Sequence, residues 1–196
     1  QGKVPLTLDF YVLPENLGKA KAHFAAIRIG HGRVTDKRFI KNWAGAKGKL
    51  NRLGYWYMDY YSHQDKSTSA YGISDKDWGR VQAEKCWSLL KDDPEGIVFL
   101  DIEKSSYGPA LSSVQPRVLT IAQSFFDHYD KLSGKVNGIY CSLSMCTYFN
   151  EALRKRPLWV AWYNESQSIN SVKKAVADRK WLGKCLIWQY ASDGDI

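Results

Sequence analysis

The 196-residue sequence lacks several features that would place it in a class at once. It has no run of the roughly 18 apolar residues that span a membrane, so we expect no membrane partner. No G-x-G-x-x-G motif follows a predicted strand, which removes the main motif for a dinucleotide cofactor. The four cysteines form no C-x-x-C pair, and their spacing does not suit a zinc site. We therefore expect no cofactor and no metal ion, and we predict buried free thiols, as in a protein that folds in a reducing compartment.

What the chain does have is an excess of positive charge and of aromatic rings. Its 28 Lys and Arg residues outnumber 20 Asp and Glu residues, so the formal net charge is +8. Such a chain is attracted to polyanions, and both nucleic acid and anionic cell-wall polymers are candidates, beside a simply solubilising basic surface. No Arg-rich tract or zinc-finger spacing indicates a sequence-reading nucleic-acid domain. The 8 Trp and 12 Tyr favour carbohydrate, because these rings stack on the apolar faces of sugars as well as filling cores.

Apolar runs alternate with helical patterns along the chain, which is typical of βα units. A chain of this length predicts a single domain. We predict strands over residues 6–10, 24–29, 54–58, 97–100, 137–142, 158–163 and 185–190. Helices are predicted from about residue 36, around residues 83–90 and over 115–132, with a rim loop at 62–75. This alternation favours an α/β barrel of the (β/α) type over an open doubly wound sheet.

The most informative motif is Asp101-Ile102-Glu103, which directly follows the apolar run 97–100. A strand sends residues i and i+2 to the same face, so both carboxylates leave the strand end together. In a barrel, reactive groups gather at the C-terminal strand ends. Two acids placed there suit cleavage of a glycosidic bond, where one protonates the leaving oxygen and the other stabilises the cation. An ordinary solvated strand end is the alternative.

Other side chains are predicted at the same rim of the barrel. In addition to the two acids of the motif, the alternation of side chains along the predicted strands places five residues at this rim: Asp9, Tyr57, Tyr140, Tyr163 and Tyr190. The residues that alternate with these tyrosines are expected to pack outward against helices, namely Trp162, Trp188 and Gln189. Each tyrosine could contact sugar or simply fill the core. Asp193 is another candidate, although it also suits an ordinary turn.

Two basic residues of the second predicted strand are less certain candidates. Arg28 is expected to point into the barrel, where a buried guanidinium needs a carboxylate partner, and we favour a structural ion pair. His31 is expected to make ordinary hydrogen bonds at the rim rather than to act in catalysis.

These segments together resemble glycoside hydrolase family 25, the Chalaropsis-type lysozymes of bacteria, fungi and phage endolysins. The matching segments are TLDF, FAAIRIGHG, TDKRFIKNWAGAK, GYWYM, VFLDIE, NGIYCS, PLWVAWYN and WQYASDG, in the family's order. The resemblance covers nearly the whole chain and implies an irregular TIM-like barrel. It implies one catalytic glycoside hydrolase domain over residues 1–196. The implied activity is that of an N-acetylmuramidase (lysozyme), which cuts the β-1,4 bond between N-acetylmuramic acid and N-acetylglucosamine in peptidoglycan.

The resemblance also assigns roles to the acids. Glu103 matches the general acid, Asp101 its partner aspartate and Asp9 the acid that closes strand one. The family usually continues strand one as D-V-S-x-x-Q, where this chain reads D-F-Y-V-L. A further family aspartate normally lies a dozen or so residues beyond W-Q-Y. The chain stops at Ile196, so that acid is absent or replaced by Asp193 or Asp195, and we expect a truncated C-terminus.

The expected chemistry requires Glu103 to hold a proton near neutral pH. Repulsion from Asp101 and Asp9, together with desolvation, would raise its pKa. Asp101 acts either as a nucleophile or by orienting the substrate's 2-acetamido group for attack, and we favour the second role. Tyr57, Tyr140, Tyr163, Tyr190 and Asp193 are the predicted substrate-binding residues.

The expected partner is bacterial cell-wall peptidoglycan, bound by a monomer without nucleic acid or membrane. Residues 1–5 show no apolar core of a signal peptide. We therefore expect synthesis in the cytoplasm followed by release, or export with the signal already removed. Two other hypotheses stay open at this stage: a non-catalytic barrel that binds cell-wall carbohydrate, and a basic nucleic-acid-binding domain.

Overall fold

One seven-stranded sheet organises the computed structural model, which describes residues 24–104, 111–164 and 166–190. The predicted strand over 6–10 lies outside these residues, as do Asp9, Asp193 and Asp195. The strands are β1 (Phe24–His31), β2 (Val34–Thr35), β3 (Asn51–Tyr57), β4 (Val98–Asp101), β5 (Gly138–Ser142), β6 (Leu158–Ala161) and β7 (Cys185–Gln189). The helices are α1 (Phe39–Ala46), α2 (Asp75–Leu90), α3 (Leu111–Ser133), α4 (Glu151–Arg154) and α5 (Ile169–Asp178), with 3₁₀ turns at Ser62–Gln64 and Leu143–Tyr148.

The strand order in the sheet follows the chain. It runs β2-β1-β3-β4-β5-β6-β7, and every neighbouring pair is parallel except the short β2, which is antiparallel to β1. A doubly wound sheet reverses its order at one point, whereas a barrel adds each strand beside the last. Among the described strands, β2 and β7 are the two edges of the sheet and do not pair with each other. The seven strands together form a curled half-barrel. The predicted α/β barrel class is confirmed.

The two faces of the sheet carry different apolar clusters. On one face the strand side chains pack with all the large helices, through residues such as Trp56, Leu100, Trp78 and Phe125. The cluster on the other face consists of strand residues and residues directly flanking them, without a helix residue: Ala26, Phe99, Tyr140, Trp159, Ala161 and Ile187, with Phe24, Leu53, Tyr55 and Ile97 beside them. Because side chains alternate along a strand, the sequence can build a helix-covered face and an open face from the same strands. The open face is where a substrate can enter.

The predicted elements are largely confirmed, with shifted ends. Strand 54–58 begins earlier, at Asn51, and helix 115–132 extends over Leu111–Ser133 with Pro116 inside it. The predicted loop 62–75 ends where Ser74 caps α2 by accepting a hydrogen bond from the Asp77 backbone N–H. Leu132, expected on the buried stripe of α3, is 42% exposed because it lies in the last turn.

The cysteines are free thiols, as predicted. Cys86, Cys141 and Cys146 are buried, and Cys185 is half-buried. Burial raises the pKa of Cys185 to about 11 and that of Cys86 further still. These thiols behave as core side chains, because a group held protonated and away from water is a poor nucleophile.

In the part of the chain that the structure describes, no helix is both long enough and apolar enough to cross a membrane.

Close packing of α2 on α3 depends on Gly79. A Cβ atom at this position would lie 2.3 Å from the backbone oxygen of Ile121 and 2.8 Å from Cβ of Ser124. The obstacle is largely backbone, so α3 would have to move as a body. The glycine is therefore a packing requirement of the helical layer.

We predict that Gly79→Val lowers the free energy of unfolding by about 2–3 kcal/mol, because overpacking displaces α3. Ser88→Val, at an exposed position of the same helix, is the matched control and should cost less than about 0.5 kcal/mol. Urea unfolding followed by circular dichroism measures both. Equal losses in the two variants would contradict this view of the α2–α3 contact.

Candidate active site

The two carboxylates of the Asp-Ile-Glu motif open into one cleft. Asp101 is the last residue of β4, and its register partners are Tyr57 on β3 and Tyr140 on β5. Ile102 is fully buried in the helix-side core, so Asp101 and Glu103 project to the open face. Both line a cleft of about 720 Å³. Asp101 is buried at its base, and Glu103 is partly exposed.

Aromatic side chains form the floor of the cleft. The ring of Trp159 lies edge-on to three neighbours, with centroid distances of 4.7 Å to Tyr140, 5.7 Å to Phe99 and 6.1 Å to Tyr55. Edge-to-face contacts of this kind add to the stability gained by burial alone. Because the rings pack against one another, they form a rigid apolar surface beside the acids. Such a surface suits contact with the face of a sugar ring.

Tyr140 connects the acids electrostatically. Burial raises the pKa of its phenol, and the negative charge of Asp101 raises it further. A hydrogen bond with Tyr163 and the charge of Glu103 act in the same direction. The phenol therefore stays protonated through the physiological range and is available as a hydrogen-bond donor beside both carboxylates.

Glu103 lies where two cavities meet. A second cavity of about 460 Å³ shares three lining residues with the main cleft, namely Glu103, Tyr140 and Tyr163. Tyr163 is 57% exposed and stands at the opening of both. A chain of sugars that occupied both cavities would pass directly over the Glu103 carboxyl group.

The structure places two of the four predicted tyrosines in the cleft. Tyr140 and Tyr163 line it. The ring of Tyr57 instead lies against the guanidinium of Arg28, at 5.4 Å from its carbon to the ring centroid. Tyr190 packs against Trp188, with ring centroids 5.7 Å apart. Neither of these two tyrosines is among the described residues that line the cleft.

The predicted orientation of β7 is wrong by one residue. Gln189 was expected to face the helices, but it is buried in the cleft and pairs with Ala161 of the open face. Trp188 faces the helical side as expected, where its indole N–H donates to the carbonyl of Trp162. The register between β6 and β7 shifts at Leu158/Trp159, and this irregularity displaces the alternation that the sequence suggested.

Other cleft residues were not predicted from the sequence. They are Tyr55, Trp159, Gln189 and a polar group contributed by the β2–α1 segment: Thr35, Asp36, Lys37, Arg38 and Asn42. Alternation along the strand could have identified both aromatic residues, because Tyr55 lies two residues before Tyr57 and Trp159 lies four before Tyr163. The β2–α1 residues carry no such periodic signal.

The basic residues of β1 also line the cleft. The described residues place no carboxylate within ion-pair distance of Arg28, so the expected structural ion pair is not found among them. Burial lowers the pKa of His31, and the charge of Arg28 lowers it further, whereas Asp59 and Asp36 oppose the shift. The imidazole is therefore mainly neutral at pH 7.

No group of three His, Cys, Asp or Glu residues within the described ranges could hold a metal ion.

Comparisons with known proteins identify a family and related folds. The family described as glycosyl hydrolases family 25 matches residues 19–196. Among solved structures, a bacterial lysozyme from Streptomyces coelicolor is 22% identical, with a TM-score of 0.59 over 79% of this chain and 70% of the other. A muramidase from Trichobolus zukalii is 23% identical, with a TM-score of 0.55 over 79% and 72%.

A family 25 glycosyl hydrolase from Bacillus anthracis covers more of the chain. It is 18% identical, with a TM-score of 0.62 over 93% of this chain and 75% of the other. At these identities the structural likeness shows a shared fold. A comparison with curated protein sequences finds no match.

The raised pKa of Tyr140 predicts how stability depends on alkaline pH. Above about pH 10 the unfolded chain loses a phenolic proton that the folded chain keeps, so the free energy of unfolding falls as pH rises. Tyr140→Phe should reduce this slope by about 1.4 kcal/mol per pH unit. Denaturant unfolding on both sides of that pH measures the slope.

Tyr129→Phe is the positive control, because burial raises the pKa of Tyr129 at a distance from the cleft. It should reduce the slope in the same way. A Tyr140→Phe variant with the parent's slope, beside a responsive Tyr129→Phe, would show that the Tyr140 phenol is not shielded as described.

Proposed function

Since the chain belongs to glycosyl hydrolase family 25, it is a glycoside hydrolase, and we propose that it is a muramidase whose acid pair is Asp101 and Glu103. The bond cut is the β-1,4 link between N-acetylmuramic acid and N-acetylglucosamine in peptidoglycan, and the site of action is the bacterial cell wall. The observation that carries the assignment of the pair is their shared cleft on the helix-free face, beside a protonated Tyr140.

Glu103 is the proposed general acid. Its carboxyl group is partly exposed and lines both cavities, so it can reach the oxygen between two sugars that lie on either side. Protonation of that oxygen makes it a better leaving group as the glycosidic bond breaks. Asp101 lies deeper, and its negative charge disfavours ionisation of the Tyr140 phenol.

Asp101 is proposed to assist rather than to bond covalently to the sugar. The two acids lie two residues apart on one segment, so the separation of their carboxyl groups need not match that of a typical retaining or inverting pair. A carboxylate at the base of the cleft can instead accept a hydrogen bond from the N–H of a 2-acetamido group. The carbonyl oxygen of that group then attacks the anomeric carbon, as in substrate-assisted glycosidases.

The remaining proposals concern the whole protein. We further propose that the protein acts as a monomer, with one catalytic domain over residues 1–196. Asp9 and Asp193 stay proposed site residues outside the described part of the structure. Tyr140 and Tyr163 are the proposed sugar contacts, because both line the cleft. Tyr57 and Tyr190 do not line it, so any effect that they have on the substrate would be indirect.

Replacing the general acid by its amide should abolish turnover and preserve the fold. We predict that Glu103→Gln lowers kcat on purified peptidoglycan at least about 100-fold, because the amide keeps the shape and loses the proton. Glu84→Gln makes the same chemical change at an exposed position of α2 and should retain full activity. Dye release from labelled cell walls measures both, and near-normal activity of Glu103→Gln would overturn the assignment.

The nature of the bond is tested separately by mass spectrometry of the digested peptidoglycan. A muramidase leaves reducing N-acetylmuramic acid ends. Reducing N-acetylglucosamine ends, or release of peptides without new reducing ends, would contradict the proposed specificity whatever the outcome for Glu103.

A further inference from the structure

The cleft has a second charged side that glycosidic cleavage does not require. Arg28, Lys37 and Arg38, which we call the basic bank, line the same cleft as Asp101 and Glu103. Arg28 lies on β1, and the other two lie on the turn between β2 and α1. They are separated from the acids by β3, so two strand spacings, about 10 Å, lie between the two sides.

The charge of the basic bank is not neutralised by the described residues around it. Lys37 and Arg38 are exposed and form no ion pair with a described carboxylate. Among the described residues that line this side, Asp36 is the one acid, and its Oδ1 accepts the backbone N–H of Arg38 at 2.8 Å. Three cations against one carboxylate leave this side of the cleft with a net positive charge.

Arg28 is the most informative member of the basic bank. Its Nε atom is buried and has no hydrogen-bond partner among the described residues. The guanidinium lies against the ring of Tyr57, which offers Nε no conventional acceptor. A buried donor without an acceptor is costly, so a ligand that supplies one gains affinity.

Two other arginines with little exposed side-chain surface are satisfied by carboxylates. Arg52 pairs with Asp93 at 2.9 Å, and Arg156 pairs with Asp130 at 2.7 Å. Both of these pairs lie away from the cleft. The buried Nε of Arg154, away from the cleft, also has no partner among the described residues. What distinguishes Arg28 is its position in the cleft, where a ligand can supply the acceptor.

We infer that the basic bank binds a carboxylate that the substrate carries beside the bond being cut. This inference rests on the proposed function. In peptidoglycan, N-acetylmuramic acid bears a lactyl group and, attached to it, a short peptide with free carboxylates. A planar guanidinium with two flexible cations at the opening suits such a group. The basic bank therefore selects muramic-acid glycans over neutral polymers of N-acetylglucosamine.

The first test removes two charges at exposed positions, where folding is least disturbed. Lys37→Gln combined with Arg38→Gln should raise KM on peptide-bearing glycan strands about tenfold and leave kcat unchanged, because the contact is equal in ground and transition states. Lys41→Gln combined with Lys49→Gln changes the net charge equally at exposed positions outside the cleft lining. An equal rise in KM for this control pair would show general attraction and overturn the inference, as would an unchanged KM in the first pair.

Chemical changes to the substrate identify the group that is bound. Amidation of all its carboxylates should raise KM for the parent and have a smaller effect on the Lys37/Arg38 variant, which keeps only Arg28 of the basic bank. An amidase that removes the peptides leaves the lactyl carboxylate on the glycan. That carboxyl group is in amide linkage to the peptide in untreated strands and becomes free only after the amidase cut. If the difference between parent and variant persists on the treated strands, the basic bank accepts the lactyl carboxylate; if it disappears, the basic bank requires a carboxylate of the peptide. A difference that survives full amidation would contradict both assignments.

Binding without turnover separates this inference from the proposed function. Calorimetric titration of Glu103→Gln protein with peptidoglycan fragments measures binding by the whole cleft without turnover. Adding Arg28→Gln to that protein should weaken the binding, and adding Arg28→Lys instead should preserve part of it. Equal affinities for the parent, Arg28→Gln and the Lys37/Arg38 variant would overturn the inference. Absence of turnover by the parent enzyme would instead overturn the proposed function.

Discussion

Alternation of side chains along the parallel strands is the constraint on which this molecule depends. Odd and even positions of β4 separate Val98 and Leu100 from Phe99 and Asp101. One set joins the helical layer, and the other faces the open side. Because the strand order follows the chain, helices cover one face, so the same alternation that buries the core also delivers Asp101 and Glu103 to an accessible cleft.

The cleft combines two environments that catalysis needs close together. A floor of aromatic rings around Trp159 provides an apolar surface for sugars, while Asp101, Glu103 and Tyr140 concentrate polar groups at one end. The protonated phenol donates where the carboxylates can only accept when ionised. On the opposite side lies the basic bank of Arg28, Lys37 and Arg38, whose positive charges suit anionic substituents of the glycan. One side of the site therefore faces the glycosidic bond that is cleaved, and the other faces the anionic substituents of the sugar.

Sequence patterns predicted the elements that follow a strict period. The apolar run before Asp101, the alternation around Tyr163 and the helical stripe of α2 all led to correct positions. The inverted Gln189 and Tyr190 lie beyond a register shift between β6 and β7, and such an irregularity leaves no trace in hydrophobic periodicity. The sequence did not predict that Lys37 and Arg38 line the cleft, for another reason. They lie on a turn, and a turn is brought to a site by the elements around it rather than by any pattern of its own.

The central claim is that the glycan crosses the Glu103 carboxyl group, between the two cavities that share it. A crystal structure of the Glu103→Gln protein with a bound peptidoglycan oligosaccharide tests this most directly. We predict that the glycosidic oxygen between N-acetylmuramic acid and N-acetylglucosamine lies within hydrogen-bond distance of the residue 103 side chain, with Asp101 beneath the acetamido group. A sugar chain bound elsewhere, or a residue 103 side chain turned away from every glycosidic oxygen, would contradict the account.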